Sequence, residues 1–174
     1  MEETDTEMAK VCYATAYTLR GVAYYNLMRL FCEPYNKQKA EEQLGLSIVT
    51  RFDMEVRPKR SSLQEVVSFI EEDLKKGISY NSKSEIFRYT VDVAKAYLAR
   101  LYFWSQNWEQ AIPVAKEILE AYPLLEGAEY VDMLSAQHAR KGNILLRSYV
   151  LSHTSGDQNY NCLLYTSPSP RDGL

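Results

Sequence analysis

The sequence predicts a mainly α fold, in which tetratricopeptide-like helical hairpins form an α-α superhelix joined by long irregular connections. Three observations predict it: apolar residues recur at the helical period within residues 7–31, within residues 62–76, and twice within residues 94–123. The third region has the spacing of a tetratricopeptide-type hairpin. Because one hairpin cannot bury its own apolar face, we expect the other helices to stand beside it.

The first helix is predicted to span Glu7–Phe31. It should end by Glu33, because Pro34 disfavours the helical conformation in the residue before it. Gly21 within the helix costs about 1 kcal/mol relative to alanine, so we expect another helix to pack closely against it. The apolar stripe of this helix is predicted to consist of Ala16, Leu19, Ala23, Leu27 and Leu30.

A long polar connection, residues 34–60, follows the first helix. Residues 46–50 carry β-favouring side chains and are predicted to form a short extended segment. A connection of this length often has a function or wraps a neighbouring element.

The second helix is predicted over Ser62–Lys76. Ser62 and Glu65 form an S-x-x-E capping box, which satisfies two backbone donors at the helix start, and Gly77 is predicted to cap the other end. We interpret the acidic run Glu71–Asp73 as a solvated helix face, not a paired-carboxylate site, because adjacent residues on a helix diverge in direction. The apolar face is predicted to consist of Leu63, Val66, Val67, Ile70 and Leu74.

The segment Ala94–Pro123 is predicted to form two helices around the polar turn Ser105–Asn107. Pro123 cannot extend the second helix. Trp104 and Trp108 flank the turn, and we interpret them as packing residues. The facing sides are predicted to be Ala94, Tyr97, Leu98, Leu101 and Tyr102 in the first helix, and Ala111, Ala115, Ile118 and Tyr122 in the second.

The remainder of the chain has weaker patterns. Residues 130–134 are predicted to include a short helix and residues 143–151 a strand. Residues 162–174 resemble the translation of a sequencing adapter, and we exclude them from fold reasoning. The chain is therefore divided into a helical fragment, residues 1–161, and a non-native tail, residues 162–174.

Composition excludes several classes of protein. A net charge of -3 over 174 residues is too small to indicate a nucleic-acid partner. No stretch is long and apolar enough to cross a membrane, and the acidic start is not a signal peptide. Cys12, Cys32 and Cys162 lack the spacing of a metal site, and we interpret the first two as small buried apolar residues.

No catalytic, cofactor-binding or metal-binding residue is predicted. His138 and His153 lack the sequence context of metal ligands, and no GxSxG motif or glycine-rich phosphate loop is present. Arg20 and Arg100 lie within apolar helices, so we expect them to pair with helical carboxylates or to cap contacts between helices.

The chain contains fourteen tyrosines. Tyrosine can stack on sugars, but at helical spacing it more often packs at the edge of a core with its hydroxyl at the surface. Sugar sites combine flat aromatic faces with a few hydrogen-bonding groups. The candidate ligand-binding residues, chosen because they are aromatic and lie in irregular segments, are Tyr35, Tyr80, Tyr89 and Tyr130.

Three segments match motifs of one family in order. Residues 14–35 fit RAxAYFxLxRLFGxxPY, residues 44–78 fit GxPLVT…SxxEVYxxIxxDL, and residues 94–119 fit AKALLARVYLYxxxWxxAxxxAxxVI; Cys32 replaces the usual glycine. The chain thereby resembles the SusD/RagB family of nutrient-binding outer-membrane lipoproteins. The matching residues of the first two motifs are Arg20, Ala23, Tyr24, Tyr25, Leu27, Arg29, Leu30, Phe31, Tyr35, Glu65, Val66, Ile70, Asp73 and Leu74.

The resemblance implies a non-enzymatic protein on the outward face of the outer membrane of Bacteroidetes-type bacteria. It implies a SusC-like TonB-dependent transporter as partner and an oligosaccharide or other nutrient as ligand, with no cofactor and no nucleic acid. Membrane attachment would be through a lipid anchor that this fragment does not include. The alternative is an intracellular tetratricopeptide scaffold for protein–protein interaction. The long connection at residues 34–60 argues against it, because such repeats recur about every 34 residues.

Overall fold

Four helices follow one another in a computed structural model of the chain, which describes residues 6–51, 55, 57–84 and 89–129. Each helix packs against the next, and the first also touches the third. Within the described ranges, β pairing is limited to one isolated antiparallel bridge. The mainly α prediction is confirmed. The helices are α1 (Glu7–Phe31), α2 (Leu63–Ser79), α3 (Val91–Trp104) and α4 (Trp108–Ala121).

Helix α1 begins and ends where the sequence predicts. Its N-cap is Thr6, whose hydroxyl accepts a hydrogen bond from the backbone N–H of Ala9 at 3.3 Å. The predicted apolar stripe is wrong, however: all five residues, Ala16, Leu19, Ala23, Leu27 and Leu30, are exposed. The buried residues of α1 are instead Ala14, Thr18, Gly21, Val22, Tyr25 and Met28.

Small residues explain which side of α1 is buried. Apolar residues lie on two sides of the helix, leucine and alanine on the exposed side and valine, tyrosine and methionine on the buried side, so the period alone does not select one. Gly21 faces α2, and a Cβ there would lie 3.0 Å from Cγ of Leu74. The backbones of α1 and α2 can therefore approach closely only when the side that carries Gly21 faces α2. This agrees with the close packing expected at Gly21.

Gly77 has a different role from the predicted one. Helix α2 continues through it to Ser79, and its C-cap is Tyr80. A Cβ at Gly77 would lie only 2.4 Å from Oγ1 of Thr18 in α1. Gly77 is therefore a contact point between α1 and α2, and the predicted cap is wrong.

The start of α2 agrees with the prediction in detail. The backbone N–H of Glu65 donates to Oγ of Ser62 at 3.2 Å, and the backbone N–H of Ser62 donates to Oε2 of Glu65 at 2.8 Å. Both halves of the capping box are thus formed. All five residues of the predicted apolar face are buried, and they form the centre of the core.

The connection between α1 and α2 lies against both helices. Leu44 and Ser62 form the isolated bridge. Residues 46–50 are not part of a strand. The phenol oxygen of Tyr24 accepts a hydrogen bond from the backbone N–H of Val49 at 2.8 Å. The side chains of Leu46 and Ile48 pack against the core. The connection therefore wraps the first helix, one of the two outcomes expected of it.

The predicted hairpin is confirmed as α3 and α4. Gln106 adopts a positive φ of 58° in the turn, and the amide N–H of Asn107 donates to the carbonyl of Tyr102 at 2.8 Å. Ala111 is buried at the centre of the interface, which lets the two backbones approach. Ala94, Leu98, Leu101 and Tyr102 are buried as predicted, while Tyr97, Ala115, Ile118 and Tyr122 are half-buried.

The two tryptophans pack at the ends of the turn. Trp104 lies beside the ring of Tyr35, with centroids 5.8 Å apart. Trp108 contacts Phe103 edge to face at 5.2 Å and stays half-exposed. The predicted helix at residues 130–134, the strand at residues 143–151 and the tail at residues 162–174 lie outside the described residues and stay predictions.

Candidate functional site

Tyr35, the first candidate aromatic, is held by three neighbours. Its hydroxyl donates to Oε1 of Gln64 at 2.6 Å, its ring lies beside Trp104, and its carbonyl accepts from Nε2 of Gln106 at 3.3 Å. Burial raises the pKa of this phenol above 10.0. Tyr35 thus joins the connection to α2 and to the hairpin turn.

Tyr80 belongs to an aromatic cluster at the other end of α2. Its ring stacks with Tyr13 at 5.9 Å and with Tyr17 at 6.3 Å. The ammonium of Lys76 lies 4.6 Å from the ring centroid of Tyr17. Neighbouring rings and a cation therefore already occupy aromatic faces in this cluster.

The candidate tyrosines do not share one surface. Gln64, which binds Tyr35, and Tyr80 are sixteen positions apart along α2, about 24 Å at 1.5 Å per residue. Tyr89 is half-buried against the core, and Tyr130 lies outside the described residues. A ligand-binding role for any one of them stays a prediction.

A buried ion pair joins α1 to α2. Nε and Nη2 of Arg20 donate to the two carboxylate oxygens of Asp73 at 2.6 and 2.7 Å. The guanidinium also lies over the rings of Tyr17 and Phe69, at 5.5 and 5.1 Å from their centroids. The hydrogen bond that Arg20 donates to Asp73 raises the pKa of Arg20 above its usual value. The expected pairing of Arg20 is confirmed, and the interpretation of Asp73 as solvated is wrong.

Of the other two residues of the acidic run, Glu71 contacts neighbouring side chains and Glu72 faces solvent. Glu71 accepts a hydrogen bond from the hydroxyl of Tyr102 at 2.8 Å and pairs with Lys75 at 2.6 Å. Burial and then this hydrogen bond raise the pKa of Tyr102. Glu72 is exposed. In α3, the guanidinium of Arg100 lies over the ring of Tyr97 at 5.7 Å. Glu71 and Tyr102 thus connect α2 to α3, whereas the ion pair of Lys75 and the ring contact of Arg100 each lie within one helix.

A cleft of about 510 Å³ lies where α1 ends against the connection. It is lined by Phe31, Glu33, Lys39, Glu42, Gln43, Leu44 and Arg60. Sequence reasoning did not find it, because most of its residues come from an aperiodic loop and meet only after folding. The sequence showed only an aromatic residue, Phe31, at the predicted end of α1 beside a polar connection, which does not indicate a cleft.

The two cysteines in the described part of the chain lie near opposite ends of α1. Cys32 is half-buried beside the cleft residue Arg60. Burial raises the pKa of the Cys32 thiol, while Arg60 lowers it by a smaller amount. Cys12 is exposed, so the interpretation of Cys12 as a buried apolar residue is wrong. Across the described residues, no group of three potential metal ligands is found.

Comparison with known proteins assigns the chain to a family. The profile of a SusD-like family, described as "Starch-binding associating with outer membrane", matches residues 1–103. The chain belongs to this SusD-like family. The matched residues include α1, α2 and nearly all of α3, which carry the first two sequence motifs and the first part of the third. None of the curated proteins compared with the chain matches it.

Solved structures support the SusD-like fold. A SusD superfamily protein from Bacteroides thetaiotaomicron has a TM-score of 0.65 and 24% identity, and one from Bacteroides vulgatus has a TM-score of 0.66 and 22% identity. A SusD-like carbohydrate binding protein from Bacteroides vulgatus has a TM-score of 0.62 and 18% identity. Each similarity covers 75% of this chain but only 29–31% of the other protein. This SusD-like chain thus spans about three tenths of their length.

Of the helices in the described part of this SusD-like chain, none is long and apolar enough to cross a bilayer.

Proposed function

We propose that the chain is the helical part of a glycan-capture protein of the outer membrane, which delivers oligosaccharides to a SusC-like TonB-dependent transporter. One observation carries the proposal: residues 1–103 match a family described as starch-binding and associated with the outer membrane. The structural neighbour named as a carbohydrate binding protein supports it. The protein is a binding module and not an enzyme.

The helical packing supports separate roles for the helices and for the irregular segments of such a protein. Tyr35, Tyr80 and Tyr89 contact other side chains of the fold. The helices thereby act as a scaffold, and ligand capture falls to the less regular segments. A lipid anchor would hold the protein on the outward face of the membrane, where glycans arrive.

Three measurements on the full-length gene product test the proposal. Isothermal titration with maltoheptaose should give saturable binding, and incubation with the same glycan should release no new reducing ends. Co-purification with the TonB-dependent transporter encoded beside it should give a stable complex. A protein that lacks an export signal, stays in the cytoplasm and binds no glycan would refute the proposal.

A further inference from the structure

The cleft at the end of α1 combines apolar and polar walls. Two of its large apolar side chains are exposed: Phe31 to 66% and Leu44 to 60%. Clefts that bind small ligands have volumes of about 300–1,000 Å³ and combine apolar surface with a few polar groups. A volume of about 510 Å³ lies within that range. The apolar residues give a surface for the C–H face of a sugar ring.

The floor of the cleft is fixed by hydrogen bonds to the backbone. Nε2 of Gln43 donates to the carbonyl of Pro34 at 2.9 Å, and Oε1 of Gln43 accepts from the backbone N–H of Asn36 at 2.9 Å. The guanidinium of Arg60 donates through Nε to the carbonyl of Gly45 at 2.6 Å and through Nη2 to that of Leu44 at 3.2 Å. Both side chains thus hold their positions before any ligand arrives, which lowers the entropic cost of binding.

The charges around the cleft balance. Glu33 and Glu42 carry two negative charges, and Lys39 and Arg60 carry two positive charges. A phosphate or an acidic sugar would meet two carboxylates as well as two cations, so the electrostatic gain is small. Hydroxyl groups, in contrast, can donate to the carboxylates and accept from the cations. The chemistry favours a neutral polyhydroxylated ligand.

We propose that this cleft binds one or two neutral sugar units of an oligosaccharide. The ring of Phe31 provides the stacking face, and the exposed side chains of Glu33, Glu42 and Lys39 bind hydroxyl groups. This inference rests on the proposed function, because it assigns part of the glycan contact to residues that the motifs do not identify as ligand-binding.

The test uses the full-length protein and two matched phenylalanine variants. Phe103, on α3, is also 66% exposed and does not line the cleft, so Phe103→Ala is the control for Phe31→Ala. Titration with maltoheptaose should show about tenfold weaker binding for Phe31→Ala, as for an aromatic contact worth more than 1 kcal/mol. Phe103→Ala should bind like the wild type. Circular dichroism checks that each variant folds.

A second variant and a labelling experiment keep the test informative if Phe31→Ala unfolds. Glu33→Gln/Glu42→Gln changes only exposed side chains and should weaken binding severalfold. A photoreactive maltoheptaose derivative should label the peptide that contains residues 31–44. Label confined to other peptides, or variants that bind within twofold of the wild type, would overturn the cleft assignment and leave the proposed function intact.

The choice of glycan separates the remaining outcomes. Binding to an acidic oligosaccharide, such as a galacturonate hexamer, without binding to maltoheptaose would overturn the neutral-sugar assignment. Absence of binding of the wild-type protein to any neutral or acidic oligosaccharide would refute the proposed function, and this inference with it.

Discussion

Removing the cation of the Arg20–Asp73 pair between α1 and α2 should destabilise the fold more than removing the anion. The side chain of Asp73 is 5% exposed, whereas that of Arg20 is 35% exposed. Arg20→Met leaves a carboxylate buried without its cation, and breaking a buried pair in this way costs about 3–5 kcal/mol. Water can reach the space next to the guanidinium, so we expect the low end, about 3 kcal/mol.

Asp73→Asn should cost less. The asparagine has nearly the same shape and keeps one acceptor for the guanidinium, and Arg20 can turn toward water. The loss is then that of a charge-assisted hydrogen bond to a group that water can reach, at the low end of the range for such bonds, about 1.5 kcal/mol. The two variants should therefore differ by more than tenfold in the equilibrium constant for opening. The double variant Arg20→Met/Asp73→Asn should lose about 2 kcal/mol of stability. This is well below the summed losses of the two single variants, because no charge is left unpaired.

Native-state hydrogen exchange of the full-length protein measures these costs locally. The free energy of opening is read from amides of α1 and α2 that exchange only when the two helices separate. Lys75→Met is the control, because its pair with Glu71 lies at the surface, and it should cost less than about 1 kcal/mol. If Asp73→Asn were as costly as Arg20→Met, or if the two changes were additive, the reasoning from a buried carboxylate would be refuted.

Three further predictions follow from the helix contacts. Gly77→Ala should lower the thermal unfolding temperature more than Gly21→Ala, because its methyl group would meet Oγ1 of Thr18 at 2.4 Å. After the gain in helix propensity, the net loss of stability should be about 1–2 kcal/mol. If Gly21→Ala lowered the unfolding temperature more, the described packing of Gly77 against Thr18 would be contradicted. Because the pKa of Tyr102 is raised in the folded state, its contribution to stability is complete below the unfolded pKa near 10.0 and is lost as pH rises through the folded pKa. Tyr102→Phe should then lose less unfolding free energy than the wild type between about pH 9 and pH 11, and equal losses would count against a buried phenol. Ser62→Ala should cost about 1 kcal/mol and speed hydrogen exchange in the first turn of α2, and unchanged exchange there would show that the capping box adds nothing.

The buried face of a helix could be predicted from the sequence where its apolar residues lie on one side only. The capping box and five apolar positions identify α2, because its opposite face is polar. The hairpin was equally clear, since alanine in both helices permits close contact. Helix α1 has apolar residues on two sides, and its three leucines all lie on the exposed one, so its period could not identify the buried side.

Other features depend on residues that are distant in sequence. The interpretation of Gly77 as a cap followed local rules, but Thr18, far away in the chain, determines its role. Asp73 is buried because Arg20 lies opposite it. The cleft needs the end of α1 and residues 39–60 to meet, and no local pattern contains that information.

The unequal lengths of the connections have a consequence for the order of folding. Residues 32–62 join α1 to α2, whereas residues 105–107 join α3 to α4, so closing the first loop costs about 2 kcal/mol more in chain entropy. Local contacts form faster than distant ones, and we expect the hairpin to assemble before α1 docks. The hydrogen bonds between Arg20 and Asp73 join positions 53 apart. A low φ-value at Arg20 beside a high one at Ala111 would be the kinetic signature of this order, and the opposite pattern would exclude it.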